Sequence, residues 1–242
     1  MSWKEADLDS TAPQGYVRAN VHSLYGAMHL FVGFMRRANV QLQSDRRTEI
    51  LDAAERCFAR SGFHRASMQE ICTEAGMSPG NLYRYFPSKE ALIAGISERN
   101  RADAVASFAL VDQSPEFFEG LAGLARYHLV DRTDTEVAIC AEIMAESRRN
   151  PEVARVYHDI EADIKSRIAA MLQLAIDRGE IRSDLDVDGA ATVLMVLGDG
   201  MSWRRSIEVG FDPERVLPLI LQMVHCLLAK PADCAKSAGD KS

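Results

Sequence analysis

The sequence predicts an all-helical protein with a small N-terminal unit and a larger C-terminal one. Three observations carry that prediction. From Ser44 onward apolar residues recur every three or four positions, with almost none of the alternation a half-buried strand requires. Helix starts recur as a capping residue followed by proline, at Ser78-Pro79, Asn150-Pro151 and Asp212-Pro213. Glycines stand where the early helical patterns stop, at Gly62 and Gly76.

Composition removes several classes of function. The chain has 242 residues, 47% of them hydrophobic, which is enough to bury a real core. A net charge of −7 argues against wholesale coating of nucleic acid and leaves room for a local basic face. Cys57, Cys72, Cys140, Cys226 and Cys234 form no CxxC pair and no ligand-like spacing with the six histidines, so neither a zinc site nor a disulfide framework is expected, and no cofactor is called for. His158 and Glu161 lie three apart and read as a solvated helix face rather than a metal site. No nucleophile–base pair stands out, so an enzyme is not expected. No apolar run approaches the ~20 residues needed to span a bilayer, and the start lacks the pattern of a signal peptide, so a soluble, cytoplasmic protein is expected.

Four regions are expected: an extension over 1–43, flexible or partly helical; a small helical unit over 44–96; a larger helical unit over 97–230; and a polar tail over 231–242. Within the extension, "LYGAMHLFVGFMRR" (24–37) reads as an interfacial helix, a DNA-contacting arm, or an added segment preceding a later start at Met28 or Met35. The last is adopted, and a membrane-surface module through 24–37 is the weaker alternative.

The first helix is written in "RRTEILDAAERCFARSGF", where Ile50, Ala54 and Phe58 repeat every four residues before Gly62. The second opens at Ser67, with Glu70 three residues on completing a capping box, and buries Met68, Ile71 and Ala75 before Gly76. The third, "SPGNLYRYFPSK" (78–89), starts with Ser78 as N-cap and Pro79 at the first helical position, where its missing N–H has no partner to lose. Gly80 costs ~1 kcal/mol of helix propensity against alanine but leaves the backbone bare to an approaching surface. Leu82 and Phe86 point one way, while Gly80, Asn81 and Arg84 point the other, flanked by Tyr83 and Tyr85.

A helix, a tight turn and a short helix with a polar outward face form a helix-turn-helix, whose second helix enters the major groove. The stretch from about Arg46 to Ile96, above all "ILDAAERCFARSGFHRASMQEICTEAGMSPGNLYRYFPSKEAL", resembles the N-terminal DNA-binding domain of the TetR/AcrR family of bacterial transcriptional regulators. By that resemblance Ser67, Met68 and Gln69 open a helix that touches phosphates, and Pro79, Gly80, Asn81, Tyr83, Arg84 and Tyr85 belong to the recognition helix. Lys89 matches a lysine that grips a phosphate. Asn81 and Arg84 suit base edges, whereas Tyr and Lys suit backbone oxygens. Because acids nearly match bases between Asp45 and Arg101, binding must rest on arrangement, with Arg46, Arg47, Arg84 and Lys89 gathered on one face.

Beyond the fourth helix, Ser114-Pro115 is expected to cap a helix striped by Phe117, Leu121, Leu124 and His128. Asn150-Pro151 starts a long one striped by Ile164, Ile168, Met171, Leu172 and Ala175, and "DRGEIRSDLDVDGA" breaks it. The last two helices carry Gly198 and Gly200 and two apolar stripes side by side, the width of a helix buried on both sides. In the family the last two helices form a four-helix bundle between protomers. The expected interface is Gly198, Gly200, Val216, Leu217, Ile220, Leu221, Val224 and Leu228, with Pro218 bending the final helix.

Candidate effector-lining residues are Phe118, Leu121, Leu124, Met144, Met171, Met195, Asp199 and Trp203, the methionines suiting a variable apolar ligand. Asp199 is costly to bury alone, and it meets either a cationic ligand or a partner, with Arg204, Arg205 and the second protomer as the candidates. The reading is a homodimeric repressor that binds a pseudo-palindromic operator in double-stranded DNA and is released by a small, largely apolar molecule. An activator of the same fold is the alternative.

Overall fold

The computed structural model describes residues 42–231, and every regular element among them is helical. The segment 24–37 and Cys234 lie outside the described residues. The first helix, α1 (42–61), is already regular at Leu42, two residues ahead of the expected start. It stops at Gly62, whose φ of 75° lies in the left-handed region.

Two of the expected caps take a different form. At α2 (Met68–Glu74) the Ser67 hydroxyl accepts from the Glu70 N–H at 3.1 Å, but the Glu70 carboxylate does not return the bond. It turns instead to the Arg60 guanidinium at 2.9 Å, a charged partner that a backbone amide does not match. At α3 (Pro79–Tyr85) Ser78 holds the N-cap position in extended backbone, and its hydroxyl makes no cap bond. The Asn81 N–H that such a cap would serve is already satisfied by the Ser78 carbonyl at 3.0 Å.

α4 (Lys89–Ser107) starts at a Ser88 cap and crosses the earlier helices at Gly95. A Cβ there would stand 2.9 Å from both Leu51 Cδ2 and Phe86 Cε1, so a larger residue would push those two core side chains aside. Phe58, Ile71, Leu82, Phe86, Leu92, Ile93 and Ile96 form the core so enclosed. Ile139 and Ile143 of α7 (Asp134–Ser147) and Val153 of α8 (Pro151–Asp177) belong to the same cluster, so the small unit shares its core with the larger one.

The remaining helices are α5 (Ala109–Asp112), α6 (Phe117–Arg126), α9 (Val187–Ile207) and α10 (Pro213–Leu228), with a π turn at Tyr127–Asp131. α6 begins later than expected, with Glu116 at the N-cap and no side-chain cap, leaving Ser114-Pro115 in the bend before it. α7 carries a reciprocal capping box between Thr133 and Glu136 that the sequence reading passed over. α8 and α10 start as expected, at the Asn150 and Asp212 caps. A second core gathers Leu172, Ile181, Ala191 and Leu228.

The last two helices require a correction. Leu217 and Val224 are 5% exposed and Leu228 is 0%, so they pack into the chain's own core and are withdrawn from the interface. The exposed apolar residues are Val193, Val196, Trp203 and Ile207 of α9 with Leu219 and Met223 of α10. On α9 these follow three- and four-residue spacing through Gly200, which is open on its outer side, whereas Gly198 turns inward toward Leu129. Both stripes of α10 are equally apolar, so hydropathy alone does not say which one faces inward.

Candidate nucleic-acid interface and inner cavity

α3 presents a narrow polar face. Leu82 and Phe86 anchor it to the core, while Pro79, Gly80, Tyr83 and Arg84 are exposed. No atom lies within 4 Å of a Cβ built at Gly80. One turn apart, Arg84 Nη2 donates to Asn81 Oδ1 at 2.8 Å, and the guanidinium lies 5.3 Å from the Tyr85 ring centroid. That pairing leaves the other guanidinium donors and the Asn81 NH2 without a hydrogen-bond partner among the described residues, a donor set suited to purine edges. Met68 and Tyr85 pack partly against the core, so each offers only part of its surface, while Ser67 and Gln69 are exposed.

Lys89 departs from the expected phosphate grip. Its ammonium donates to the carbonyls of Phe63 at 2.6 Å, Ala66 at 3.0 Å and His64 at 3.3 Å, and it lies 4.5 Å from the Phe63 ring centroid. All three donors are used, so the lysine ties the segment between α1 and α2 to the start of α4 rather than facing outward. Two carboxylates of α7 hold the same segment. Glu142 accepts from the Phe63 N–H at 3.1 Å, and buried Glu146 meets His64 Nε2 at 2.9 Å.

The acids that balance the charge of this unit are paired. Arg56 and Arg60 meet Glu74 at 2.8 and 3.4 Å, and Arg99 meets Asp52 at 2.6 Å and Glu55 at 2.8 Å. Ahead of Ile50, Arg46 and Arg47 are exposed, with Arg46 on Glu49 at 2.5 Å. Arg84 has no carboxylate within ion-pair distance among the described residues, which leaves its charge for an incoming anion.

A cavity of about 320 Å3 opens among α4 and α6 through α10. Leu121, Leu124, Met144, Met171, Met195, Asp199 and Trp203 line it. Phe118 does not. It lies one residue round α6, its ring 4.5 Å from the His225 ring, and is withdrawn as a lining residue. Gly198, Ile220, Leu221 and the buried Val224 line the cavity as well, a placement different from the expected interface.

The sequence reading missed Ser97, His128, Tyr157 and Glu161 on this wall. His158 is exposed as expected, but Glu161 turns inward. The signal was present in the spacing, because Tyr157, Glu161, Ile164, Ile168 and Met171 form one stripe at intervals of three and four.

Burial and then the negative charge of Asp199 push the Glu161 carboxyl up to about 7. Asp199 is itself held above the ordinary aspartate range by the apolar wall behind it, although its side chain stays open to solvent at the mouth. Tyr157 is pushed up to about 12 by burial and by both carboxylates, while burial and then Arg132 bring His128 down to about 4. Neither arginine considered for Asp199 reaches it. Arg204 pairs with Glu208 at 3.6 Å, and Arg205 serves the carbonyls of Val130 and Arg132 and the carboxylate of Asp134.

A three-helix head with an exposed recognition helix, joined to a helical unit around a cavity, defines a helix-turn-helix transcriptional regulator. Residues 50–96 match the model for bacterial regulatory proteins of the tetR family, and residues 124–229 match that for the C-terminal part of BetI-type transcriptional repressors. The chain is 35% identical over 155 residues to the HTH-type transcriptional regulator UidR of Escherichia coli K12, covering 64% of this chain and 79% of that one. Among solved structures it is similar to Salmonella enterica GusR, with a TM-score of 0.63, 32% identity, and 74% and 95% of the two chains covered. A transcriptional regulator from Saccharomonospora viridis in complex with choline gives a TM-score of 0.68 at 25% identity, covering 77% and 99%. The protein belongs to the TetR family: it is a transcriptional regulator and not an enzyme. Among the described residues no helix is long and apolar enough to cross a membrane.

Proposed function

We propose that the protein is a cytoplasmic, homodimeric repressor that binds a pseudo-palindromic operator and releases it when a small, largely apolar molecule enters the inner cavity. The observation that carries this reading is the double duty of α4 and α7. Each lines the cavity, α4 with Ser97 and Ala104 and α7 with Cys140 and Met144, and each also holds the 63–66 segment between α1 and α2, through Lys89 and through Glu142 and Glu146. A ligand that spreads the cavity wall therefore moves the helices that seat the reading head.

In this reading Asn81 and Arg84 contact base edges, while Tyr83, Ser67, Gln69, Arg46 and Arg47 hold phosphates. Pro79 and Gly80 let the first turn approach closely. Lys89, Met68 and Tyr85 act mainly by positioning. The apolar face of α9 and α10, centred on Val196, Gly200 and Leu219, meets the same face of a second copy, which places two reading heads about a two-fold axis. The names of the BetI-type model and of the choline-bound relative support repression and a small-molecule effector as the family's mode of action.

Selection of genomic fragments by the purified protein, followed by a reporter in a deletion strain, tests the reading. Recovery of an inverted repeat and raised expression of the adjacent gene on deletion are expected. Lowered expression on deletion would establish an activator instead.

A further inference from the structure

Two adjacent helices bring a repeated arrangement to the cavity. Tyr157 precedes Glu161 by four residues on α8, and Trp203 follows Asp199 by four on α9, so each helix sets a carboxylate and an aromatic ring on one face. All four residues line the same cavity, Tyr157 and Glu161 half-buried and Asp199 and Trp203 exposed at its rim. Among the described residues no Lys, Arg or His lies within ion-pair distance of either carboxylate.

A third group on the wall also lacks a partner. Ser97 is 4% exposed, and its hydroxyl has no hydrogen-bond partner among the described residues. Glu161 is half-buried with no cationic partner, Asp199 is open to solvent at the mouth, and the Ser97 hydroxyl is buried and unmatched, so the wall carries negative charge that solvent alone offsets. An anionic ligand would add repulsion, and a neutral one would leave both carboxylates unmatched. A cation resting on the two carboxylates, with its charge against the Tyr157 and Trp203 rings, satisfies them together.

We propose that the effector is a small organic cation: an ammonium centre held by Glu161 and Asp199 between Tyr157 and Trp203, an apolar body along the methionine-rich wall, and a polar group at Ser97. The proposal rests on the reading of this cavity as the effector site.

The other charged groups at the cavity do not compete for this role. Arg101 is engaged by Glu98 and by Asp163 at 3.1 Å. Arg132 donates to Cys140 Sγ, and its charge acts on His128 and Glu136 rather than on the carboxylates. His128 titrates near 4 and Tyr157 near 12, so neither changes charge around neutral pH. Glu161 titrates near 7, so it becomes more fully ionised as pH rises through neutrality, and protonation of Asp199 would act in the same direction. Cation binding should therefore strengthen from about pH 6 to about pH 8 and release protons.

Calorimetric titration of the full-length protein with benzylammonium, benzyl alcohol and benzoate tests this, because the three share one apolar body and differ in charge. At about pH 8 the ammonium should bind about tenfold or more tightly than the alcohol, with benzoate weakest, and the advantage should shrink at about pH 6. Glu161→Gln with Asp199→Asn should bring the ammonium to the alcohol's affinity, with the melting temperature checking the fold of the variant. Equal binding of ammonium and alcohol by the wild type, tightest binding of benzoate, or an ammonium advantage that survives in the folded double variant would overturn the proposal. Binding of all three with no preference would leave the cavity as an effector site and remove only the cation. Binding of none would remove both.

Discussion

Lys89 Nζ lies 2.6 Å from the carbonyl oxygen of Phe63, and this contact joins the first residue of α4 to the turn that separates α1 from α2. It places the lysine in the frame of the reading head rather than on its surface. Lys89→Ala should destabilise the protein by about 1–3 kcal/mol, since three carbonyls lose a charged donor, and should lower the melting temperature by several degrees. DNA binding should weaken on all sequences without the shallower salt dependence that follows loss of a phosphate contact. Thermal melts together with titrations at several salt concentrations separate the two roles. An unchanged melting temperature with a shallower salt slope would return Lys89 to the phosphate.

Gly80 and Arg84 form the surface of the head, so their substitutions should behave in the opposite way. The space around Gly80 is open, and Gly80→Leu should leave stability at or above that of the wild type while holding α3 away from the groove. Arg84→Ala should cost about 1–3 kcal/mol on the preferred operator and relax the preference at one position per half-site. Fluorescence anisotropy against operator and scrambled DNA, beside thermal melts, checks both. A loss of stability equal to the loss of binding would contradict this division.

The exposed stripe of α9 and α10 makes a prediction about assembly. Val196 is 63% exposed in the single chain and Leu219 60%, so Val196→Asp or Leu219→Asp should yield folded monomers by burying a charge between copies. Leu217→Asp should instead unfold the chain, because that side chain is already inside. Light scattering and circular dichroism distinguish the outcomes. A dimer persisting in both exposed-stripe variants would refute the assignment of this face.

Glu161 should also make stability depend on pH. Its carboxyl is raised in the folded state, so folding favours the protonated form, and the stability this contributes is lost as pH rises from the ordinary glutamate range through about 7. Glu161→Gln removes that loss. The melting temperature of the variant relative to wild type should climb between about pH 5 and about pH 8, and a constant difference would show that Glu161 is not desolvated.

The helical class, the early glycine stops and the proline-marked starts were legible because each follows from local chemistry: φ > 0 at Gly62 and Gly76, and the caps at Asn150 and Asp212. The exposed face of α3 was legible for the same reason, since Leu82 and Phe86 orient it. What depends on tertiary competition was not. Glu70 chose Arg60 over its capping bond, and Lys89 chose carbonyls contributed by a turn more than twenty residues away. Which stripe of α10 faces inward depends on how α10 packs against α6 and α9, and no property of α10 alone reveals it. Glu161 was misplaced because a carboxylate in an apolar stripe is costly, and costly placements are the ones that functional sites retain.

In the proposed function α3 reads DNA sequence through Arg84 in a two-fold arrangement. Parallel sequencing of genomic fragments retained by the wild type and by Arg84→Ala tests this. The wild type should enrich an inverted repeat whose half-sites lie about one helical turn or more apart, and Arg84→Ala should lose the preference at one symmetric position in each half. Enrichment of no common sequence by the wild type, or of the same sequence with equal stringency by both proteins, would contradict it.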